Sequence, residues 1–346
     1  MARIELKNPA ELADCLTAQN IRNVWIVRTR HETGTLNRII AALEERKMRI
    51  AGMTCAAPNP QEVAIRRELC LFERSGAEAI LAIGGGSVID TAKCMRFWSE
   101  RKDSILLYAV PTTAGSGSEA THFATVYRGE IKTSVTDKSL YPDAVLFDAA
   151  VLSRLAKEQK IAGMADAACH AIESLWAKKK TPESRDLAAQ ALRLVWKNRK
   201  QYLSGDPEAQ ENMMRAADLA GQAIDRSNTT AGHAMSYLLT SRYGMPHGIA
   251  AALCVRELMA DLAARGLERE SLLAIARAMG LESPVDAAEA FGNWIRDFQI
   301  CVPKITIEEA GKLADGINRQ RLENYPVSLD KDEITALYSR MCDLEE

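Results

Sequence analysis

Residues 163–176 read GMADAACHAIESLW, a helix-favouring stretch in which Asp166 and His170 stand four apart, on one face and about one turn from each other. A carboxylate and an imidazole at that spacing form either half of a metal site or two solvated side chains. The complement lies downstream in TTAGHAMSYLLTSRYGMPHG, where His233 and His247 are 14 residues apart. One unbroken helix would separate them by about 21 Å at 1.5 Å per residue. Gly244 and Pro246 interrupt the helical pattern just before His247, so the chain can turn and bring the second imidazole back toward the first. That break makes a shared site possible. Three imidazoles and one carboxylate suit Fe(II), Zn(II) or a similar divalent ion, with a substrate oxygen taking a further position.

A second kind of chemistry lies upstream. In AILAIGGGSVIDTAK an apolar strand runs into Gly84, Gly85 and Gly86, and Ser87 opens a helix. Glycines let the main chain approach a ligand closely, and a helix start offers unpaired N–H groups and partial positive charge to a diphosphate. The spacing is not GxGxxG, and a tight strand-to-helix turn without a ligand is the plainer alternative. A second loop, PTTAGSGSEAT from Pro111 to Thr121, follows the next strong strand, and two such loops at neighbouring carboxyl ends make a nucleotide crevice. The first strand ends in VWIVRTRHE, with Arg28 and Arg30 where an acidic residue would exclude a 2′-phosphate. NADPH is therefore at least tolerated, unless these arginines are simply solvated.

The elements that position these residues change character along the chain. Up to about residue 150, β-branched runs alternate with amphipathic stretches, as in a parallel α/β sheet. Strands are expected at Asn23–Val27, Arg49–Met53, Ala79–Ile83, Ile105–Val110 and Ala144–Phe147. Helices are expected at Glu32–Arg46, Gln61–Ser75 and Val88–Trp98. Beyond Asp148 apolar residues recur every three or four positions and strand-like runs become scarce, so residues 151–346 read as all-helical. Thr181 and Pro182 look like the N-cap and first residue of a helix through Lys197 or beyond, with Lys178 to Lys180 a solvated connection before it. Ile305–Leu322 and Lys331–Leu344 read as packing helices without chemistry. The domain division expected is 1–150 and 151–346.

Composition bounds the function. The 346 residues carry 44 Lys plus Arg against 46 Asp plus Glu, a net charge of −2, which excludes the basic excess of a nonspecific nucleic-acid or anionic-membrane binder. The start MARIELKNPA has no apolar leader core, and no stretch is long and apolar enough to span a bilayer, so a cytoplasmic protein is expected. The eight cysteines form no CxxC pair and read as reduced, mostly buried thiols. Among the five histidines, His31 has no assigned role beyond surface or cofactor edge.

Taken together, GGGSVIDTAK, PTTAGSGSEAT, the Asp166–His170 pair and the His233 segment closing on MPHG resemble the iron-containing, or group III, alcohol dehydrogenase family over residues 20–260. The resemblance implies a Rossmann-like dinucleotide-binding α/β domain followed by an all-helical metal and substrate domain, the dehydroquinate synthase-like architecture. It makes Asp166, His170, His233 and His247 the metal ligands and Gly84, Gly85, Gly86 and Ser87 the diphosphate cradle. Asp90, Thr112, Thr113, Ser116 and Lys132 fall where related enzymes line NAD(P)H. It implies an aldehyde polarised by Fe(II) or another divalent ion and reduced by hydride from the nicotinamide, in a homodimer or larger homo-oligomer.

One position departs from that pattern. Many family members carry a further histidine four residues after the third ligand, and here that residue is Tyr237. A phenol, with a reference pKa of about 10, is a poor shuttle at neutral pH, so Tyr237 is read as shaping the pocket rather than relaying protons. The stretch DRSNTTAGHAMSYLLTSRYGMPHG, with SEATHFATVY and HAIESLW, further resembles the phosphonoacetaldehyde reductase-like branch. Arg226, Asn228 and Thr229 supply donors suited to an anionic tail, although helix capping is the alternative. That branch tends to carry an arginine where Asn228 stands, which leaves Arg226 or His122 to compensate. The expected substrate is a short aldehyde, phosphonoacetaldehyde first, then sulfoacetaldehyde or a small neutral aldehyde. Glycerol dehydrogenase-like polyol oxidation, a dehydroquinate synthase-type lyase and a silent nucleotide sensor are the competing readings; the fourth ligand, His247, and the absence of an evident polybasic substrate pocket argue against the first two, and the intact set of four ligand positions argues against the third.

Overall fold

The computed structural model describes residues 3–30, 34–129, 131–317 and 319–344, so His31 lies outside the described residues. The chain folds as two compact units, Met1–Leu155 and Ala156–Glu346. Among the described residues no helix is long and apolar enough to cross a membrane.

The first unit is built on strands β1 (Ile4–Leu6), β2 (Asn23–Arg28), β3 (Arg49–Cys55), β4 (Ala79–Gly84), β5 (Leu106–Pro111) and β8 (Ala144–Leu146), and a hairpin of β6 (Phe123–Arg128) and β7 (Ile131–Thr136). The six sheet strands are parallel in the order β1-β8-β5-β4-β2-β3. Helices α1 (Pro9–Ala18), α2 (Gly34–Glu45), α3 (Glu62–Ser75) and α4 (Gly86–Trp98) connect them. Strand β4 is buried along its whole length, which is why it reads as an unbroken apolar run. Its alternate side chains serve two cores: Ile80 and Ala82 pack with Phe72 of α3 and Met95 of α4. Ala79, Leu81 and Ile83 pack with Leu16 of α1 and Ile39 of α2. Helices therefore cover both faces of the sheet.

All five expected strands are present within a residue or two at each end. Strand β1 and helix α1 were not expected, because IEL is too short to declare itself and becomes a strand only by pairing with β8. The β6–β7 hairpin was likewise missed.

The second unit is helical: α5 (Lys157–Trp176), α6 (Pro182–Ser204), α7 (Pro207–Ser227), α8 (Ala231–Tyr243), α9 (His247–Ala264), α10 (Arg269–Ala278), α11 (Pro284–Arg296), α12 (Ile307–Asp315), α13 (Arg319–Glu323) and α14 (Lys331–Met341). From Met164 to Trp176 helix α5 is buried all round, which makes it the central rod. Thr181 caps α6 through a reciprocal box with Ser184, with Pro182 in the first turn. The helix α8 ends where Gly244 takes the left-handed conformation at φ 69°, and α9 starts anew from Pro246 and His247. The expected single stretch Ile305–Leu322 is broken in two, because Thr306 and Glu309 box the start of α12 and Gly316 follows its end. The last helix stops at Met341, and strand β10 (Asp343–Leu344) pairs in parallel with β9 (Lys304–Ile305). The cysteines are free, but Cys55, Cys70 and Cys301 are exposed, so burial is the rule for only part of the set.

Helices α5 and α9 meet at Gly248, where a Cβ would lie 2.0 Å from the Ala162 carbonyl oxygen and 2.8 Å from Asp166 Cβ. A methyl there must push the two helices apart. Gly248→Ala is expected to lower stability by roughly 3 kcal/mol in thermal or urea denaturation; an unchanged midpoint would show that the contact is not tight.

Candidate active site

The close approach of α5 and α9 puts the first residue of α9, His247, beside Asp166. Among the described residues, Asp166, His233 and His247 form a group whose ligand atoms all lie within 4.8 Å of one another. His233 Nε2 is 3.4 Å from Asp166 Oδ1. His170 lies alongside rather than inside that group: its Nε2 is 3.8 Å from the same oxygen, and its ring stacks on His233 with centroids 4.5 Å apart. Asp166, His170 and His233 are all buried. Burial works against ionising Asp166, yet His170, His233 and His247 together hold its carboxyl well below the usual range. Burial would also lower His233, but the Glu173 carboxylate and Asp166 raise it instead, to about 9.

Sequence reading missed Glu173. It follows Asp166 and His170 on the same face of α5, is fully buried, and reaches helix α8 through both oxygens. Oε1 accepts from the Thr230 hydroxyl at 2.5 Å, the Thr230 N–H at 3.1 Å and the His233 N–H at 3.3 Å. Oε2 is bonded to His233 Nδ1. The carboxylate therefore caps a helix N-terminus from another helix and orients the His233 ring, turning Nε2 toward Asp166. Burial opposes its charge, and the His233 ring and these donors hold its pKa down all the same. The available signal was the Asp166, His170, Glu173 spacing of four and three along one helical face.

In the first unit, the ends of β2, β4 and β5 lie side by side, with the Thr29 N–H donating to Ile83 O and the Thr112 N–H to Gly84 O. The sheet order reverses between β2 and β4, so this is its switch point. Helix α4 starts at Gly86 with no side-chain cap. A Cβ on Gly86 would lie 2.7 Å from Ser116 Oγ, and one on Gly85 3.0 Å from Thr113 Oγ1, so the two glycine loops face each other at the helix start. Asp90 is turned onto the second loop and the hairpin, where it accepts from the Ser118 hydroxyl and from the Thr125 N–H at 2.9 Å. Fully buried Lys93 donates to Thr121 O at 2.7 Å and Phe123 O at 2.9 Å, bracing the same loop. Lys132 lies half-buried on β7, and Ser87 in the first turn of α4. Arg28 folds back onto Thr29 O at 3.0 Å. His122 packs against Phe123 and Tyr141 in this unit.

Two family models match the chain, iron-containing alcohol dehydrogenase over residues 4–149 and the C-terminal domain of that family over residues 160–342. The chain belongs to the iron-containing alcohol dehydrogenase family. It is similar to a phosphonoacetaldehyde reductase of Streptomyces viridochromogenes, with 28% identity over 78% of each chain. Its fold matches a 1,3-propanediol oxidoreductase at TM-score 0.87 and 23% identity, covering 98% of this chain and 97% of that one. It also matches a sulfoacetaldehyde reductase from Bifidobacterium kashiwanohense in complex with NAD+, at TM-score 0.85 and 23% identity over 98% and 96% of the two chains.

Within this family member, the cluster's donors fit a divalent transition ion: a buried carboxylate and imidazoles converging from three helices, one imidazole already oriented by a carboxylate behind it. Tyr237 stacks on His247, with ring centroids 5.7 Å apart at 11°. Arg226, expected near the substrate, is engaged elsewhere: it pairs with Glu183 at 2.9 Å and donates to Gln222 O. Asn228 ends α7 at φ 59° and ψ 165°, exposed, a conformation that costs a non-glycine residue about 1–3 kcal/mol. Thr229 is buried and accepts from Arg321 Nη1 at 2.8 Å, a contact the sequence did not announce.

Glu173→Gln keeps the shape and one acceptor but removes the charge behind His233. Metal affinity measured by chelator competition is expected to fall about 10- to 100-fold. Unchanged affinity would confine Glu173 to capping α8.

Proposed function

We propose that this alcohol dehydrogenase works as an NAD(P)H-linked reductase of short aldehydes bearing an anionic tail, phosphonoacetaldehyde foremost, with Fe(II) in the helical unit. The observation that carries the catalytic half is the convergence of buried Asp166 and His233 with half-buried His247, backed by Glu173. The anionic tail is supported by the likeness to a phosphonoacetaldehyde reductase and by the donor-rich segment that leads into α8.

A bound divalent ion supplies Lewis-acid polarisation of a carbonyl, and a reduced nicotinamide supplies hydride. The chain's residues do the rest. Asp166, His233 and His247 are the converging donors that hold the ion, His170 beside them is the fourth, and Glu173 keeps His233 in the tautomer that presents Nε2. Gly84, Gly85, Gly86 and Ser87 offer a diphosphate the amides of an uncapped helix start, and the hydroxyls of Thr112, Thr113 and Ser116 line the same loops. Asp90 acts through the second loop, which it anchors, and Lys132 contributes positive charge from β7. With Arg28 and no acidic residue ending β2, a 2′-phosphate is tolerated. Tyr237 packs against His247 and shapes the substrate space, while burial pushes its phenol up and keeps it protonated at neutral pH. A small-molecule aldehyde is the partner, with no nucleic acid or membrane, and assembly into a homodimer or larger homo-oligomer is part of the proposal.

An aldehyde panel on Fe(II)-reconstituted protein tests this reading. Phosphonoacetaldehyde and sulfoacetaldehyde are expected to exceed butanal in kcat/KM, with both NADH and NADPH accepted and activity lost on chelation. Equal rates on butanal would remove the anionic tail, and a strict NADH requirement would remove the Arg28 argument. Tyr237→Phe is expected to leave the pH-rate profile unchanged; a lost or displaced limb would make Tyr237 a proton carrier.

A further inference from the structure

We propose that Arg321 receives the anionic tail of the substrate, an assignment that deepens the reading above and rests on it. Arg321 lies on α13, within a stretch whose sequence reads only as packing helix. Its Nη1 donates to Thr229 Oγ1 at 2.8 Å and to the Tyr237 hydroxyl, and its guanidinium carbon is 4.9 Å from the centre of the Tyr237 ring. That ring stacks on His247. One aromatic ring therefore separates a half-buried cation from the proposed metal ligands, and all of these residues belong to the helical unit.

The fold does not account for this charge. Among the described residues no carboxylate pairs with Arg321, and its partners are two neutral hydroxyls. Arg226 is the contrast, neutralised by Glu183. A partly desolvated guanidinium without a counter-ion favours an anion beside it. Both hydroxyls occupy Nη1, and among the described residues the Nε and Nη2 edge carries no protein partner. Two parallel N–H groups on that edge match a tetrahedral oxyanion in bidentate fashion.

The cation is also held in place. Asn324, buried one turn further on, donates to Ser227 O at 2.8 Å and Thr229 O at 3.1 Å and accepts from the Lys178 N–H at 2.9 Å. The chain that carries Arg321 is thereby pinned to the segment leading into α8 and the imidazoles. A receptor so fixed, near the carbonyl site, suits an aldehyde only a few bonds long with a phosphonate or sulfonate at its far end.

The test uses the full chain reconstituted with Fe(II), with reduced cofactor and phosphonoacetaldehyde, sulfoacetaldehyde or butanal. Arg321→Gln is expected to raise KM for the charged aldehydes about 10- to 100-fold while affecting kcat little and butanal far less. Arg321→Lys should recover part of the loss, since an ammonium keeps the charge without the fork. The two charged substrates show which oxyanion the fork prefers. Calorimetric titration with ethylphosphonate or ethanesulfonate, which have no carbonyl, should give binding to the wild type that Arg321→Gln abolishes. Equal losses on butanal would overturn the assignment by reducing Arg321 to a brace for Tyr237. A preference for charged aldehydes that survives Arg321→Gln would overturn it while leaving the proposed function intact. A wild type that treats butanal and the charged aldehydes alike would instead overturn the anionic tail itself. Should Arg321→Gln fail to fold, Thr229→Val, which removes one hydroxyl holding Nη1, is expected to raise KM selectively for the charged substrates; a uniform effect would count against the proposal.

Discussion

A fully buried carboxylate organises the helical unit. Glu173 projects from α5 into the start of α8, where its oxygens accept from the amides of Thr230 and His233, the Thr230 hydroxyl and the His233 ring. A lone buried carboxylate would be costly, and this one is tolerated because a helix N-terminus and an imidazole surround it. The same contacts fix where α8 begins, how His233 is turned and which of its nitrogens faces Asp166. Trp176 adds to the arrangement by donating to the Thr230 hydroxyl at 2.9 Å. Stability and the geometry of the proposed metal centre thus share one set of hydrogen bonds.

Close packing supplies the remaining ligand geometry. Gly248 lets α9 approach α5 to within contact of the Ala162 carbonyl, and Gly232 lets α8 sit against Val255 and Glu173. Each glycine is next in sequence to one of the clustered imidazoles, so the residues that permit contact travel with the residues that use it. Larger side chains at either position would separate the helices and open the cluster.

The first unit solves a different problem by similar means. Its sheet brings the ends of β2, β4 and β5 into line, and the glycines after β4 clear the space at an uncapped helix start. The polar residues there, half-buried Asp90 and fully buried Lys93, engage the second loop and the hairpin, which makes them supports of that loop. Their sequence positions, four and seven residues after Gly86, fit a helix face turned toward that loop.

Much of this was legible in the chain alone, for local reasons. The strands announce themselves because parallel strands buried on both faces must be continuously apolar, and the turn at Gly244 and Pro246 because neither residue continues a helix. The pairing of Asp166 with His170 follows from the helical repeat. What the tertiary fold alone decided depends on partners distant in sequence. Glu173 reads as one more polar residue until α8 arrives 57 residues later to occupy it. Arg226 looked like the available cation until α6 supplied Glu183, whereas Arg321, in a short helix near the end of the chain, meets Thr229 and Tyr237 only because Asn324 pins its segment to theirs. Side-chain periodicity along one element is written in the sequence, but whether a buried charge is neutralised or left for a ligand is set by whichever other element packs against it.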